Sequence, residues 1–268
     1  MQLTIITAVK NDVKNIEQTI KSVLLQNFKD FEYIIIDGDS DDGTSEIIKK
    51  YLNVSRLSYF RSKDINLYDG LNKGINLSKG KFISFMHSGD FYYNNSVLKE
   101  IFSIKNLSNY SLLAGDVIFF KDKKVNRVWK IPLKQKLSFY QVPHTGTFFK
   151  RGVYNKIRNF NIMYNISADT DFLIKFFNLQ ESYLLLNKYT IFMCHGGLST
   201  SLRNILKKIK QDLKIIKKNY NYSFISVYFR KIIFKILSKQ FFLQDKIKLN
   251  QKLMMQKKII NDENITSF

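Results

Sequence analysis

The sequence contains few cysteines, which form covalent cross-links, and few prolines and glycines, which form repetitive structures such as collagen. Its 268 residues include a single cysteine, Cys194, which excludes a disulfide scaffold and a zinc site built from cysteines. Two prolines and 11 glycines exclude collagen-like and proline-rich architectures. No apolar run approaches the roughly 18–20 residues of a membrane-spanning helix. With 45% hydrophobic and 24% charged residues, the chain is expected to fold into a globular protein.

The first six residues, MQLTII, lack the basic region and the small-residue cleavage site of a secretory signal peptide. We therefore expect a cytoplasmic protein.

Acidic residues are scarce in the last quarter of the chain. The net charge is +21 overall, and residues 203–268 carry 16 basic but only 4 acidic groups. Codon bias is one explanation, because lysine, asparagine and isoleucine are abundant throughout. The loss of acids in the tail favours a second one, a surface that attracts the phosphates of a nucleotide, a nucleic acid or an anionic membrane.

Strand-like and helix-like segments alternate through the first hundred residues, which predicts βαβ units and a parallel sheet. Strands are predicted over residues 3–9, 31–36, 57–60 and 81–86, with helices after an Asn11-Asp12 cap, from near Ser45 and over 68–78. From about residue 112 the pattern changes. Strands are predicted over 112–120, 125–131, 146–150 and 183–193, a helix over 168–178, and basic helices from residue 202.

Carboxylates cluster where the predicted parallel strands end. Asp37, Asp39, Asp41 and Asp42 follow the second strand, and Asp90 follows the fourth. Open parallel sheets bind ligands at the carboxyl ends of their strands. Each aspartate taken alone could instead be a turn residue or a helix N-cap. Together they would repel one another unless they were hydrogen-bonded to loop amides, a ligand or a cation.

Three segments in consistent order resemble family 2 glycosyltransferases, whose fold is called GT-A. They are IIIDGDSDDGT within residues 4–44, SKDINLYDGLNKG over 62–74 and GKFISFMHSGD over 80–90. The resemblance covers residues 1 to about 200. It implies an α/β, Rossmann-like mixed sheet with a parallel nucleotide-binding half, followed here by C-terminal basic amphipathic helices. It also implies a catalytic domain over 1–202, divided near residue 110 into nucleotide-sugar and acceptor parts, and a separate helical tail over 203–268.

The same resemblance implies which residues bind the donor. Asp37 would contact the uracil or ribose of a UDP-sugar, and Asp64 the base or ribose. Residues 72–74 could instead form a solvated helix face. The nucleotide-sugar-binding residues implied by the resemblance are Thr7, Ala8, Asn11, Asp37, Asp39, Asp64, Tyr68, Asn72, Lys73, Ser88 and Gly89.

A divalent metal, Mn²⁺ or Mg²⁺, is implied at the family's Asp-x-Asp motif. This chain reads Ser88-Gly89-Asp90 there, so only Asp90 keeps a carboxylate, and the choice of metal stays open. One carboxylate can hold such a cation together with donor phosphates. His195, beside a glycine-glycine pair, is a candidate third ligand or phosphate contact. The alternative for His195 is a packed or solvated side chain.

An inverting transferase needs a general base that removes the proton of the acceptor hydroxyl. Asp169 matches the family's base at the start of a helix, and Asp171 and His144 are the alternatives. His144 lies in a segment that resembles the acceptor site. Both aspartates could instead cap the helix and complement its dipole.

The tail combines apolar residues at helical spacing with many lysines. Ile205, Ile209, Leu213 and Ile216 are expected to form one stripe, and residues 224–243 are more apolar. Such helices suit the interface of an anionic membrane. The apolar stripe could also dock on the catalytic domain or on a second subunit.

The leading interpretation is an inverting, metal-dependent glycosyltransferase on the inner face of the inner membrane. It would transfer glucose, galactose or an N-acetylhexosamine from a UDP-sugar to a saccharide on undecaprenyl diphosphate, in O-antigen or capsule synthesis. A non-catalytic membrane scaffold of the same fold is the alternative, because the metal motif is shortened. A nucleic-acid-binding protein is the third interpretation, and the chain has no signature of a nucleic-acid module to support it.

Overall fold

The computed structural model describes residues 1–133, 136–196, 202–240 and 246–263, which form nine strands and nine α-helices. The strands are β1 (Leu3–Val9), β2 (Phe31–Asp37), β3 (Leu57–Arg61), β4 (Phe82–Phe85), β5 (Phe91–Tyr92), β6 (Leu112–Lys121), β7 (Lys124–Trp129), β8 (Thr147–Lys150) and β9 (Tyr183–Cys194). The helices are α1 (Ile16–Leu24), α2 (Thr44–Lys49), α3 (Leu67–Leu77), α4 (Val97–Phe102), α5 (Arg151–Ile157), α6 (Ala168–Asn178), α7 (Leu202–Tyr220), α8 (Phe224–Gln240) and α9 (Lys246–Asp262).

The N-terminal half of the sheet is parallel, as the alternation of segments predicts. β1 lies between β2 and β4, and β3 flanks β2, with all four strands in the same direction. Successive residues of β1 and β2 face two different cores: Ile5 and Ile35 belong to one, Ile6 and Ile34 to the other. Because both faces of these strands are covered, their sequences are almost continuously apolar.

The C-terminal half reverses direction twice. β8 runs antiparallel to β4, β6 runs antiparallel to β8, and β9 runs parallel to β6. β9 therefore points in the same direction as β1, β2 and β4. Its carboxyl end at Cys194 reaches the same edge of the sheet as the ends of the parallel strands.

Helix α1 begins at Ile16, later than the predicted cap at Asn11-Asp12. The reason is that the amides of the cap residues bond to the loop after β2: Asn11 N–H donates to Ser40 Oγ, and Asp12 N–H to Thr44 Oγ1. Asn11 also has a left-handed backbone with φ of 53°. Sequence patterns did not predict three short elements, β5, α4 and α5.

The C-terminal helices pack on both sides of the sheet. On α7, Ile215 and Ile216 are fully buried against the α6 side of the sheet, and on α9, Leu253 and Ile260 are buried on the α1 side. The predicted stripe on α7 is therefore divided, because its first half remains exposed while Ile216 is inside. Docking of these helices on the layers that cover the sheet is thus observed. Among the described helices, none is long and apolar enough to cross a bilayer.

Helix α3 lies very close to β1, and Gly74 makes that approach possible. A Cβ atom on Gly74 would lie 2.5 Å from Cγ2 of Ile6, a fully buried residue that cannot move aside. We expect Gly74→Ala to lower the free energy of unfolding by about 1–3 kcal/mol through overpacking. Gly152→Ala is the matched control, because no atom lies within 4 Å of a Cβ there. Urea unfolding of both variants checks this, and equal stability would contradict the close approach of α3.

Candidate active site

The carboxyl edge of the sheet gathers most of the residues that the sequence singled out. The loops after β1, β2, β3 and β4 all open at this edge, because these strands are parallel. The segment that contains His144 precedes the antiparallel β8 and reaches the same edge. Thr7 and Ala8 belong to β1 itself and are buried.

Asp37 organises the loop after β2. Its carboxylate is fully buried and accepts hydrogen bonds from the Ser40 amide and hydroxyl, the Ser45 hydroxyl and the Tyr59 hydroxyl, at 2.6–2.9 Å. Burial raises the pKa of Asp37, but these hydrogen bonds outweigh burial and hold the pKa below its ordinary value. Asp37 is therefore an ionised residue that holds the loop after β2 in place from its buried side.

The surface of this loop is held by charged and polar pairs. Arg61 Nε donates to Asp39 Oδ1 at 2.8 Å, and the Arg61 guanidinium also binds the Ser40 carbonyl. Asn11 Oδ1 accepts from the Asp41 amide at 3.0 Å. Asp42 accepts from the amides of Thr44 and Val13, which is the turn role considered for these aspartates, because the N-cap of α2 is Gly43. Sequence reasoning missed Arg61, whose signal is a basic residue at the end of the edge strand β3.

Asp64 and Lys73 form an ion pair beside the same loop. Lys73 Nζ lies 2.6 Å from Asp64 Oδ1 and 3.4 Å from Asp69 Oδ2. The Asp64 side chain is only 9% exposed. Asp64 Oδ2 packs against α3 at Gly70, where a Cβ atom would lie only 2.8 Å from this oxygen. The spacing of Asp69 and Lys73 on one helix face therefore positions the Asp64 carboxylate.

Two further residues of α3 reach the acceptor half. The Tyr68 hydroxyl lies 3.1 Å from the Ile166 carbonyl and 3.2 Å from Asp169 Oδ1. The Asn72 amide binds both the carbonyl and the N–H of Phe160. Asn72 thus ties α3 to the loop before α6, and Tyr68 touches the candidate base directly.

The Ser88-Gly89-Asp90 turn places two polar oxygens in the interior. Asp90 is 1% exposed, and its Oδ1 accepts from the Cys194 amide at 2.8 Å. Asp90 Oδ2 and Ser88 Oγ are buried without a hydrogen-bond partner. Burial raises the pKa of Asp90 well above its ordinary value, although backbone amides act in the opposite direction. His195 directly follows the amide that binds Asp90, and Gly197 lies outside the described residues.

These two unpartnered oxygens fit a hard divalent cation, since Mg²⁺ and Mn²⁺ prefer oxygen ligands. In the described part of the chain, no group of three or more histidine, cysteine, aspartate or glutamate side chains could hold a metal by itself. A cation bound by Asp90 would therefore take most of its ligands from the donor phosphates and water. The residues fit a nucleotide-bound cation better than a free one.

Asp169 occupies the first turn of α6. Its Oδ1 accepts from the Tyr68 hydroxyl and from the Thr170 amide, at 3.2 and 2.8 Å. Burial raises the pKa of Asp169. The nearby Lys208, His144 and Lys231 lower this pKa by more than burial raises it, so the pKa falls below the ordinary value. Asp169 is thus a carboxylate at neutral pH, as a general base requires.

Two histidines lie near Asp169. The His144 ring stacks on Phe85 with centroids 5.0 Å apart and lies 6.4 Å from the His87 ring. Burial lowers the pKa of each histidine to about 4, so both are neutral at physiological pH. His144 Nε2 is buried without a hydrogen-bond partner. Sequence reasoning missed His87, although it directly precedes the Ser88-Gly89-Asp90 turn.

Asp171 has a different environment. It is 3% exposed and pairs with Lys175 Nζ at 2.7 Å, one turn further along α6. Its charge is thus already matched by a neighbour on its own helix.

The family model "Glycosyl transferase family 2" matches residues 4–210. The chain belongs to this family. Among curated relatives, a PGL/p-HBAD biosynthesis glycosyltransferase of Mycobacterium bovis is 27% identical over 208 residues, which is 73% of this chain and 79% of the relative. An uncharacterized glycosyltransferase of Mycobacterium tuberculosis is 30% identical over 183 residues, 65% of this chain and 68% of the relative.

Solved structures show the same fold. Staphylococcus aureus TarS 1-349 in complex with UDP-GlcNAc aligns with a TM-score of 0.69 at 16% identity, covering 96% of this chain and 79% of TarS. The mannosyltransferase PcManGT of Pyrobaculum calidifontis, in complex with GDP-Man and Mn²⁺, aligns with a TM-score of 0.60 at 10% identity, covering 98% and 76%. This family 2 enzyme has the GT-A fold, and both predictions are confirmed.

The C-terminal helices add residues to this glycosyltransferase site that sequence reasoning missed. Gln211 Oε1 accepts from the amides of Ile166 and Ser167, at the start of α6. Asp212 is buried and pairs with Lys231 at 2.8 Å. The available signal was Asp212 itself, the single acidic residue between positions 203 and 240 of the sequence.

Proposed function

We propose that this glycosyltransferase moves a hexose or N-acetylhexosamine from a UDP-sugar, with inversion, to a saccharide on a lipid diphosphate of bacterial surface polysaccharide synthesis. The observation that carries the proposal is the Asp169 carboxylate, bonded by Tyr68 and the Thr170 amide at the sheet edge that also holds Asp90. Complexes of TarS with UDP and UDP-GlcNAc support a uridine nucleotide as the donor. The lipid-linked acceptor is supported by the basic, partly apolar C-terminal surface described below.

Asp169 is the base in the proposed mechanism. Both of its hydrogen bonds from described residues fall on Oδ1, which leaves Oδ2 for the acceptor hydroxyl. The hydroxyl gives its proton to Asp169 as its oxygen attacks the anomeric carbon. The bond between that carbon and the diphosphate oxygen breaks, and UDP leaves with the bonding electron pair. Attack from the face opposite the leaving group inverts the anomeric configuration.

Tyr68 and His144 support this step. The Tyr68 hydroxyl orients Asp169 through Oδ1, and the neutral His144 offers a buried nitrogen near the reacting groups. A divalent cation held by Asp90 and Ser88 would neutralise the charge that develops on the departing diphosphate. Lys73, held by Asp64, adds positive charge on the donor side of the edge.

Asp169→Asn keeps the size of the side chain but removes its basicity. We expect kcat to fall by about 100-fold or more, with the donor KM nearly unchanged. The assay is transfer from a panel of labelled UDP-sugars to a synthetic diphosphate-lipid saccharide. Asp171→Asn is the matched control and should retain most activity, because Asp171 is already paired with Lys175. Normal kcat in Asp169→Asn would move the base to Asp171 or His144, and no transfer from any donor would favour a non-catalytic scaffold.

Asp90→Asn tests the metal. The asparagine oxygen can still accept from the Cys194 amide, so the fold should persist. In the wild-type protein, Mn²⁺ or Mg²⁺ added with UDP should raise Tm, and this increase should disappear in Asp90→Asn. Asp41→Asn makes the same charge change on the exposed loop after β2 and should keep the increase. Full transfer activity in excess chelator would refute a metal role.

A surface of α7 and α8, here called the apolar tail surface, supports membrane association. α7 and α8 pack against each other, and Asp212 of α7 pairs with Lys231 of α8. The exposed apolar residues of this surface are Ile205, Leu206, Ile209, Ile225, Phe229, Ile232, Ile233, Ile236 and Leu237. Exposed Lys207, Lys210, Lys214 and Arg230 lie on the same helices. Apolar side chains flanked by cations match the chemistry of an anionic lipid surface.

Phe229→Glu should weaken this association, because it replaces an apolar side chain that is 61% exposed in the apolar tail surface with a negatively charged one. The wild-type protein should co-sediment with phosphatidylglycerol-containing vesicles at low salt, less with neutral vesicles and less as salt rises. Ile247→Glu, at a 76% exposed position on α9, is the control that should retain binding. Failure of the wild type to bind anionic vesicles, or equal losses in both variants, would contradict the proposal.

A further inference from the structure

We propose that the C-terminal helix pair completes the catalytic centre, with Lys208 and Lys231 as positioning residues that keep the Asp169 carboxylate ionised. The inference rests on the proposed function, in which Asp169 is the base. It assigns a role in the reaction to helices α7 and α8, which the sequence analysis predicted to be a separate tail.

The lysines reach the site because α7 and α8 cover the start of α6. Lys231 Nζ lies 2.8 Å from Asp212 Oδ2 and 3.3 Å from Oγ1 of Thr170, the neighbour of Asp169. Lys208 Nζ lies 4.0 Å from the other Asp212 oxygen. The Lys208 and Lys231 side chains are 25% and 20% exposed, and that of Asp212 is 6% exposed. All three groups are thus largely withdrawn from water.

Charge balance links these groups to Asp169. Asp212 can neutralise one lysine, so the other would remain a poorly solvated cation without a second carboxylate nearby. Asp169 supplies that carboxylate, and the four groups together are neutral. Charged groups withdrawn from water persist when they are matched in this way. The arrangement therefore accounts for two lysines and one aspartate facing inward from a tail whose other lysines are mostly exposed.

The lysines are the charged groups that decide the state of Asp169. Tyr68 from α3 and the buried His87 and His144 from the sheet edge also face Asp169. They carry no charge at neutral pH, and at acid pH a protonated His144 lowers the Asp169 pKa together with the lysines. Among the described residues, the groups that are charged at neutral pH and act on Asp169 are Lys208 and Lys231, and Asp212 pairs with these lysines. Burial alone raises the pKa of Asp169, and Lys208 is the largest of the effects that lower it. Without Lys208, burial is less opposed and the pKa must rise.

The test is a carboxyl ¹³C NMR titration of the full chain, in which the Asp169 signal is the one missing from Asp169→Asn. In Lys208→Met the Asp169 titration should move upward by about one pH unit or more, since a cation nearby lowers a carboxyl pKa by that amount. Because the base must be deprotonated, the acid limb of the kcat profile should move to higher pH by a similar amount. Lys208→Arg should restore the wild-type titration.

Lys207→Met is the matched control, because it removes the same charge from an exposed neighbour on α7. It should leave the Asp169 titration unchanged. Lys231→Met alone would leave the buried Asp212 without its ion-pair partner. The double variant Asp212→Asn with Lys231→Met is therefore the second variant. It should shift the Asp169 titration to higher pH by less than Lys208→Met does.

Two outcomes are separable. An Asp169 titration that is the same in Lys208→Met and in the wild type overturns this inference, whatever the base is. Undiminished kcat in Asp169→Asn overturns the proposed function, and that result is independent of the Asp169 titration measured in Lys208→Met.

Discussion

Parallel backbone pairing is the constraint on which the site depends. β1 pairs with β2 and β4, and β9 pairs with β6 far along the chain, so their carboxyl ends meet at one edge. The hydrogen bond from the Cys194 amide to Asp90 Oδ1 joins residues 104 positions apart and is a direct result of that pairing. A sheet with β9 in the opposite direction would place Cys194 at the far edge. Asp90 Oδ1 would then lose the hydrogen bond from the Cys194 amide.

The strands and α6 could be predicted because each has a strong local signal. β-branched runs mark β1 and β2, and the apolar spacing of residues 168–178 matches α6 at both ends. The short elements lack such signals. β5 has two residues and exists because it pairs with β9, and α4 and α5 have six and seven residues. Their formation depends on tertiary contacts, which sequence patterns do not contain.

The candidate site was predictable in position more than in detail. The strand pattern placed Asp37 and Asp90 at one edge, the family resemblance added Asp64, and the structure brings all three to that edge. Neither the pattern nor the resemblance could show which oxygens are already bonded. Asp37 is fully occupied by three side chains of its own chain, whereas Asp90 retains a buried oxygen without a partner. That difference depends on residues such as Tyr59 and Cys194, whose positions follow from strand register. For the same reason, helical periodicity described the stripe on α7 but not which half of it faces inward.

The helix pair α7 and α8 has a charged face near Asp169 and an exposed apolar face. The proposed effect of the lysines on Asp169 and the proposed membrane association therefore involve the same two helices. Lys208 and Lys231 pair with the buried Asp212, and Lys231 also contacts Thr170 beside Asp169, whereas Leu206 and Phe229 are exposed to solvent. A helix with its side chains is about 10–12 Å across. If the exposed side rests on the bilayer, Asp169 lies roughly that distance above the lipid surface. An acceptor hydroxyl at the lipid diphosphate itself would be too deep to meet it. A hydroxyl on a saccharide carried above the diphosphate reaches the height of the base, which favours an enzyme that extends a chain over one that begins it.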